Sequence, residues 1–310
     1  MILKNVPLNL ANQRLDKVAS ILFQTYSRTQ IKKWILEGRV LVNGEISNPK
    51  DLIHENDEIE INPIEENKIS WASQKVDFEV HFESNNFIII NKSPGLVMHP
   101  GSGCNDGTLA NGLLYRYPEL ANLPRSGIVH RLDKDTSGVL LVAKNEKFRN
   151  YFIKLMQERK IIKEYIAVVA GPTLGSFSID YPIGRDRFNR TKMALRADGK
   201  DAITDVKLNQ SFNNYSLLDV SIKTGRTHQI RVHLSSRKLP IIGDKTYDPA
   251  KTVTKGTSSE LIEIIRSFPR QALHASLLSF ECPDTKKKLS YEIPIPLDIK
   301  NLISSLKKHS

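Results

Sequence analysis

The sequence has 310 residues, 40% of them hydrophobic and 25% charged, which is typical of a folded protein long enough for two domains. Its formal net charge of +11 favours a polyanionic partner such as a nucleic acid. Two cysteines are too few for a disulfide framework, and the sequence shows neither a secretion signal nor a membrane-spanning apolar run, so we expect a cytoplasmic protein with no membrane partner.

Two helices are predicted near the N-terminus. Asn12 is the expected cap of the first, and Ser27 or Thr29 is the expected cap of the second, which should end at Gly38. Residues 1–44 contain seven basic and two acidic side chains, whereas residues 45–65 contain one and seven. This separation predicts that one face of the small N-terminal part meets phosphates.

Arg28, Lys32 and Lys33 are expected to share the outward face of the second helix, because the first two lie four residues apart. A strand leading into an Asn-Gly turn and an alternating strand that stops before Pro63 follow. The pattern RLDKVAS…YSRTQIKKWILEGRVLVNGE…DEIEI resembles the S4 RNA-binding domain, which implies that residues 1–64 form an α/β RNA-binding unit. A basic-faced helical hairpin with a protein partner is the alternative.

Residues 65–76 lack an apolar period and are predicted to be a linker. Strand-like segments dominate residues 77–310, with helical patterns around 107–116, 146–158 and 258–266. Adjacent strands with interspersed helices predict an α+β domain that has a mixed, largely antiparallel central sheet. No phosphate-binding loop motif occurs, so we expect no nucleotide cofactor.

The segment GIVHRLDKDTSGVLLVAK (127–144) has seven polar residues between two apolar, strand-like runs. A turn explains the residues from Asp135 to Gly138, but it does not explain Arg131 and Asp133. Because these two charges flank Leu132, we expect Leu132 to hold the chain against the core while the charges face a cleft. A carboxylate in a cleft requires a cation nearby.

Arg231, in TGRTHQIRVHL (224–234), is the best distant candidate for that cation. Thr227 is the expected cap of a helix here; a short strand is the alternative, and both leave Arg231 available to Asp133. Phosphate contact alone is the competing role for Arg226 and Arg231. Tyr165 lies in a strand beside small residues, where packing in the core is the default role.

Other common site chemistries have little support in the sequence. The histidines lack metal-ligand spacing, so no metal site is expected, and no G-x-S-x-G motif indicates a serine hydrolase.

Five motifs in order resemble the RluA family of pseudouridine synthases: INKSPGLVMHPG (90–101), HRLDKDTSG (130–138), KEYIAVVAG (163–171), TGRTHQIRVHL (224–234) and RQALHA (270–275). The resemblance implies that Asp133 is the nucleophile, that Arg231 pairs with it and that Tyr165 stacks against the target base. It also implies that Arg131 enters the space left by a flipped uridine. Further RNA contacts are expected from His130, Arg226 and His228.

The resemblance further implies a substrate and a biological role. We expect a monomer, without cofactor, that isomerises uridines of 23S ribosomal RNA in the helix 69 stem-loop and contributes to maturation of the large subunit. The alternatives are a synthase of this family that acts on other 23S sites or on transfer RNA, a non-catalytic RNA-binding assembly factor, and an enzyme that cleaves nucleosides.

Overall fold

The computed structural model describes residues 1–26, 28–63, 71–101, 103–189 and 191–310. The chain divides into two compact units, residues 1–69 and 70–310. Most of the predicted linker lies outside the described residues, but Trp71 packs against the core of the second unit and the Ala72 carbonyl accepts a hydrogen bond from Asn111 there.

The first unit has a four-stranded sheet in the order β1-β6-β3-β4, a strand pair β2-β5 and two helices. Its elements are β1 Ile2–Asn5, β2 Gln13–Arg14, α1 Leu15–Leu22, α2 Arg28–Leu36, β3 Val40–Val42, β4 Glu45–Ile46, β5 Leu52–Ile53 and β6 Glu58–Ile61. Apolar faces of both helices and the sheet meet in one core that includes Val18, Ile31, Trp34 and Ile59. The predicted Asn-Gly turn is confirmed, because Asn43 and Gly44 both have positive φ and connect β3 to β4.

The predicted helix caps of this unit need correction. Helix α1 begins at Leu15 after Arg14, and Asn12 lies in a left-handed turn with φ 58°. The reason is that β2 pairs with β5 immediately before the helix, so this pairing, and not an Asn cap, fixes the helix start. Helix α2 begins at Arg28, so Thr29 lies two residues after the cap position, and Ser27, at that position, lies outside the described residues.

The second unit confirms the α+β prediction. Strand β9 pairs parallel with β16, and the other strand pairs within the described residues are antiparallel, so the sheet is mixed and largely antiparallel. Its strands are β7 Glu79–Glu83, β8 Phe87–Lys92, β9 Ser137–Ala143, β10 Ile162–Ala170, β11 Phe177–Asp180, β12 Ile183–Arg185, β13 Met193–Leu195, β14 Ile203–Phe212, β15 Tyr215–Ile222, β16 Leu273–Glu281 and β17 Lys288–Glu292. Its helices are α3 Leu109–Arg116, α4 Glu146–Gln157, α5 Gln229–Ser236, α6 Ser259–Ser267 and α7 Leu297–Lys308.

One row of paired residues across four central strands places four of the sequence motifs side by side. Lys92 of β8 is opposite Gly138 of β9, Gly138 is opposite Ala275 of β16, and Ala275 is opposite Tyr165 of β10. The sheet therefore brings four motifs, separated by up to about 180 residues in the sequence, to one edge of the second unit.

Gly138 gives a test of this arrangement. It has φ 114°, and a Cβ added there would lie 2.1 Å from the carbonyl oxygen of Ala275. We predict that Gly138→Ala lowers the free energy of unfolding by about 2–4 kcal/mol, from backbone strain and the forced separation of β9 and β16. Urea denaturation of both proteins measures the change.

Gly175→Ala is the matched control, because Gly175 also has positive φ, 79°, but has no atom within 4 Å of an added Cβ. We expect the control to lose about 1 kcal/mol, from backbone strain alone. Equal losses for the two variants would contradict the close approach of β9 and β16.

Candidate active site

Asp133, Arg231 and Asp244 form a buried row of alternating charges. The Arg231 guanidinium donates Nε and Nη2 to the two carboxylate oxygens of Asp244 at 2.7 and 2.8 Å. Its Nη1 donates to Oδ2 of Asp133 at 2.9 Å. The side chain of Asp244 is 1% exposed and that of Arg231 6%, whereas that of Asp133 is 15% exposed. The predicted pairing of Asp133 with Arg231 is therefore confirmed, and Asp133 is the member that reaches solvent.

Asp244 was not among the residues selected from the sequence. Its carboxylate accepts hydrogen bonds from the backbone N–H groups of Thr246 and Tyr247, in addition to the two from the Arg231 guanidinium. Burial disfavours its charge, but these hydrogen bonds and the guanidinium charge outweigh burial and lower the pKa of Asp244. Asp244 therefore holds the plane of the guanidinium and leaves Nη1 directed at Asp133.

Tyr247 and His228 complete the surroundings of this guanidinium. The Arg231 guanidinium lies 5.1 Å from the centre of the Tyr247 ring, within the range of a cation–π contact. The Tyr247 hydroxyl accepts the Met193 backbone N–H and shares a hydrogen bond with Nδ1 of His228. Burial opposes the charge of Arg231, but the hydrogen bonds and charges of Asp244 and Asp133 prevail and raise its pKa. The guanidinium thus remains a fixed positive charge.

Helix α5 carries Arg231, so the alternative of a short strand is wrong. The predicted cap is also wrong, because the residue before the helix is His228, in a left-handed conformation with φ 54°, and not Thr227. The Gln229 side chain secures the turn by accepting the Arg226 backbone N–H and donating to the Ile203 carbonyl. The Gln229 amide therefore fixes the turn before α5, and the helix itself has no side-chain cap.

The Asp133 loop, which we define as residues 129–136, is attached to the core by side chains on both sides. Leu132 is 3% exposed, as expected for the residue that holds the loop inward. Nε2 of His130 accepts the Leu141 backbone N–H, and burial, with the Lys163 charge adding to it, lowers the pKa of His130 to about 3. His130 is therefore a neutral group that ties the loop to β9.

Lys92 is a fully buried lysine beneath the Asp133 loop. Its ammonium donates to the carbonyl oxygens of Ser93, Leu96 and Lys134 at 2.8–2.9 Å, so it joins the INKSPG turn to the loop. Burial lowers the pKa of Lys92 to about 7, against the opposing charges of Asp135 and Asp133. The bond to the Lys134 carbonyl holds the backbone directly after Asp133.

Arg270 and its neighbours hold the far end of the loop. The buried Arg270 guanidinium donates to the Asp135 carbonyl at 3.1 Å and pairs with both carboxylate oxygens of Asp298, in the first turn of α7. Gln271 donates to the Thr136 hydroxyl at 3.2 Å. The loop is therefore secured by residues from β8, β9 and the segment before β16.

Tyr165 lies beside Asp133 in a cleft of about 700 Å³, which we call the first cleft. Its side chain is 8% exposed, and burial, reinforced by the negative charge of Asp133, raises its pKa, so the ring is a neutral phenol. Asp133 is the one acidic side chain among the described residues that line this cleft. The basic ones are Arg125, Arg131, Arg159, Lys163, Lys223, Arg226 and Arg231.

The structure separates the remaining predicted RNA contacts into two groups. Arg131, His130, Arg226 and His228 all line the first cleft, where Arg131 is exposed and Nε of Arg226 is bound to the Asp201 carbonyl. In the first unit, Lys32 and Lys33 are exposed on α2, but Arg28 donates two hydrogen bonds to the buried Asp16. Arg28 is thus partly engaged within the protein.

No group of three His, Cys, Asp or Glu side chains in the part of the chain that the structure describes could hold a metal ion. None of the described helices is long and apolar enough to cross a membrane.

Comparisons with known proteins show which families the chain resembles. The profile of the family described as RNA pseudouridylate synthase matches residues 86–236, and the S4 domain profile matches residues 13–59. The chain is 40% identical to the ribosomal large subunit pseudouridine synthase D of Vibrio parahaemolyticus, over 96% of this chain and 91% of the relative. The protein of the same name from Escherichia coli is also 40% identical, with 96% and 92% covered.

Solved structures show the same similarity for the second unit. The human RNA pseudouridylate synthase domain containing 1 protein superposes with a TM-score of 0.53 at 25% identity, covering 74% of this chain and 95% of that one. The extent of identity to the bacterial relatives, together with the matched profile and the fold, establishes the family. The chain belongs to the RNA pseudouridylate synthase family.

Proposed function

We propose that this chain isomerises uridines of 23S ribosomal RNA, in the helix 69 stem-loop, and that Asp133 is the nucleophile. The observation that supports the catalytic assignment is the hydrogen bond of 2.9 Å from Arg231 to Asp133, inside a cleft where the other charged side chains of the described residues are basic. The relatives that share 40% identity carry a large-subunit name, which supports ribosomal RNA as the substrate.

The reaction needs one carboxylate and no cofactor. The bond between N1 of uracil and C1′ of ribose breaks, the base turns, and a C5–C1′ bond forms; C5 loses a proton and N1 gains one, so no atom is lost overall. In our proposal Asp133 forms a transient covalent bond to the nucleotide, at C1′ or at C6 of the ring, and this bond breaks before the product leaves, so the free carboxylate is regenerated. Arg231 holds the carboxylate in place and balances its charge throughout, because the guanidinium does not lose its proton.

Access to the base requires that the nucleotide leaves the RNA stack. Extrusion costs a few kcal/mol, and less for a nucleotide in a loop than for one in a duplex, which favours a stem-loop target. We assign Tyr165 to stack against the extruded uracil, since its flat neutral ring lies in the cleft beside Asp133. Arg131, exposed at the same cleft, would fill the vacated space in the RNA.

The two profiles that match the chain support separate RNA-binding and catalytic domains. We propose an S4-like RNA-binding domain at residues 1–64, a linker at 65–76 and a catalytic domain at 77–310, acting as a monomer in the cytoplasm on the large subunit or its precursor. The S4 profile over residues 13–59 and the synthase profile over residues 86–236 support this assignment. Modification would then contribute to large-subunit maturation.

The nucleophile assignment predicts that Asp133→Asn lowers pseudouridine formation at least about 1,000-fold, because an amide cannot form the covalent bond. Single-turnover assays on 23S RNA fragments measure the rate, and mapping of pseudouridines in total RNA identifies the positions. Asp180→Asn, which neutralises an exposed carboxylate on β11, is the control and should keep the wild-type rate.

Four outcomes would contradict parts of the proposal. A wild-type rate for Asp133→Asn would remove the nucleophile assignment, and release of free uracil would indicate nucleoside cleavage. Full rescue of a ribosome defect by Asp133→Asn would favour the non-catalytic assembly role. If the pseudouridines that disappear without an active enzyme lie in transfer RNA, or at other large-subunit sites, those positions and not helix 69 are the target.

The first unit gives a second prediction, on RNA affinity. If Lys32 and Lys33 contact phosphates, Lys32→Gln with Lys33→Gln should weaken RNA binding and reduce the slope of log affinity against log salt by about 1.4–1.8, at 0.7–0.9 per contact. Adding Arg28→Gln should lower the slope further; Asp16 keeps its bond to Arg14 in that variant. Filter binding over a salt series measures all three slopes.

Lys50→Gln is the control within the same unit, because Lys50 is exposed and lies in the acidic part of its sequence. We expect it to change the slope little. Unchanged slopes for the helix α2 variants would indicate that this face binds a protein.

A further inference from the structure

A second cleft, of about 250 Å³, adjoins the first at Asp133. Both clefts are lined by Arg131, Asp133, His228 and Arg231. The first continues towards Tyr165 and Arg226, whereas the second continues towards Lys134, Lys245 and Arg270. Asp133 therefore lies where two separate depressions of the surface meet.

The two clefts differ in size. Pockets that enclose a drug-sized ligand measure roughly 300–1,000 Å³, which includes the first cleft but not the second. The second cleft is also lined without Trp, Tyr or Phe among the described residues, and the one ring there, that of His228, shares a hydrogen bond with the Tyr247 hydroxyl. It therefore fits a small polar group better than a nucleobase.

The charges that the second cleft offers to a ligand are positive. Arg231 and Arg270 are already bound to carboxylates. Arg131, Lys134 and Lys245 are exposed, and no ion pair with another described residue involves them. Asp135 is the one carboxylate here besides Asp133, so the unpaired cations outnumber it.

The backbone under two of these cations is fixed. The Lys134 carbonyl accepts hydrogen bonds from Lys92 and from the Gly95 backbone N–H. Lys245 directly follows Asp244, which is bound to Arg231 and to the next two backbone N–H groups. The two lysines therefore extend into the lining of the cleft from backbone that is held by hydrogen bonds.

We propose that the second cleft binds a phosphodiester group of the RNA strand next to the target uridine, through Lys134 and Lys245. This proposal rests on the proposed function. A ribose that presents C1′ to Asp133 carries a phosphate on each side along the strand, and one of them must leave the site past Asp133. An unpaired, exposed pair of lysines there provides charge-assisted contacts to phosphate without reading the base.

The test combines a double variant with RNA in which single phosphates are neutralised. Lys134→Met with Lys245→Met should reduce the salt slope for a stem-loop substrate by about 0.7, because the two lysines neutralise one phosphate and each phosphate of a single strand contributes about 0.7. Replacing one phosphate beside the target with methylphosphonate should lower wild-type affinity about tenfold. The same replacement should cost the double variant less than twofold, because the contact is already gone.

Lys287→Met with Lys288→Met is the control, since these lysines are exposed at the β16–β17 turn and line neither cleft. The subsite would be refuted if the double variant had the same salt slope as the control. It would also be refuted if methylphosphonate lowered the affinity of the wild type and of the double variant equally. In both cases the proposed function would stand as long as the wild type still formed pseudouridine. If removal of a neighbouring base, and not neutralisation of a phosphate, cost the wild type more affinity than it cost the double variant, the second cleft would bind a base and the proposal would be wrong. Absence of pseudouridine from wild-type reactions would instead refute the proposed function.

Discussion

The guanidinium of Arg231 is the group on which the site depends. A positive charge with only 6% of its side chain exposed requires partners, and Asp244 supplies two hydrogen bonds in the plane of the fork. Because Asp244 occupies Nε and Nη2 of the guanidinium, Nη1 is left to donate a hydrogen bond to Asp133. Removing one partner from a buried ion pair costs about 3–5 kcal/mol, so the position of Asp133 is linked to the stability of the fold around it.

The division of roles between the two carboxylates follows from their exposure. Asp244 is enclosed and has its lone pairs occupied by Arg231 and two backbone N–H groups, so it orients the cation and has no path to a substrate. Asp133 shares the same cation but lines both clefts, with one carboxylate oxygen free of protein hydrogen bonds among the described residues. Two acids of the same type therefore differ in role because of their surroundings.

The sheet makes this arrangement possible across long sequence separations. Lys92, Gly138, Ala275 and Tyr165 lie in one row across four strands, and the Asp133 loop leaves the sheet at that row. Lys92 and Arg270 then hold the loop by its carbonyl oxygens, which leaves its side chains free to face the clefts. Backbone attachment thus gives a rigid loop with exposed functional groups.

Sequence patterns predicted most of the fold and the central pair of the site. Alternating strands, the three helical segments and the Asn-Gly turn have local periodicity or turn chemistry, so they could be identified residue by residue. Helix α7 was missed although Ile299, Leu302 and Leu306 give it an apolar face, and β16 and β17 were not predicted beyond the motif at 270–275. The predicted cap at Asn12 is wrong because the pairing of β2 with β5 fixes the start of α1. The predicted cap at Thr227 is wrong because a turn bound by the side-chain amide of Gln229 precedes α5.

The supporting residues could not be predicted because a buried charge has no periodic signal in the sequence. Lys92 and Arg270 lie inside motifs that were recognised, yet their function is to bind carbonyl oxygens from loops far away in the sequence. Asp244 follows the apolar residues Ile241 and Ile242 and a glycine, a pattern similar to the acid-after-strand pattern that drew attention to Asp133. Only the three-dimensional pairing reveals which acid faces a cleft and which is enclosed.

The central claim is that Asp244 holds Arg231 in the orientation that positions Asp133. Its most direct test is the single-turnover rate of pseudouridine formation by Asp244→Asn, measured below the unfolding temperature of the variant and beside its RNA affinity. The account predicts a rate at least about tenfold lower, equivalent to about 1.4 kcal/mol of the barrier, with RNA affinity changed less than about twofold. A wild-type rate in a folded Asp244→Asn protein would contradict it.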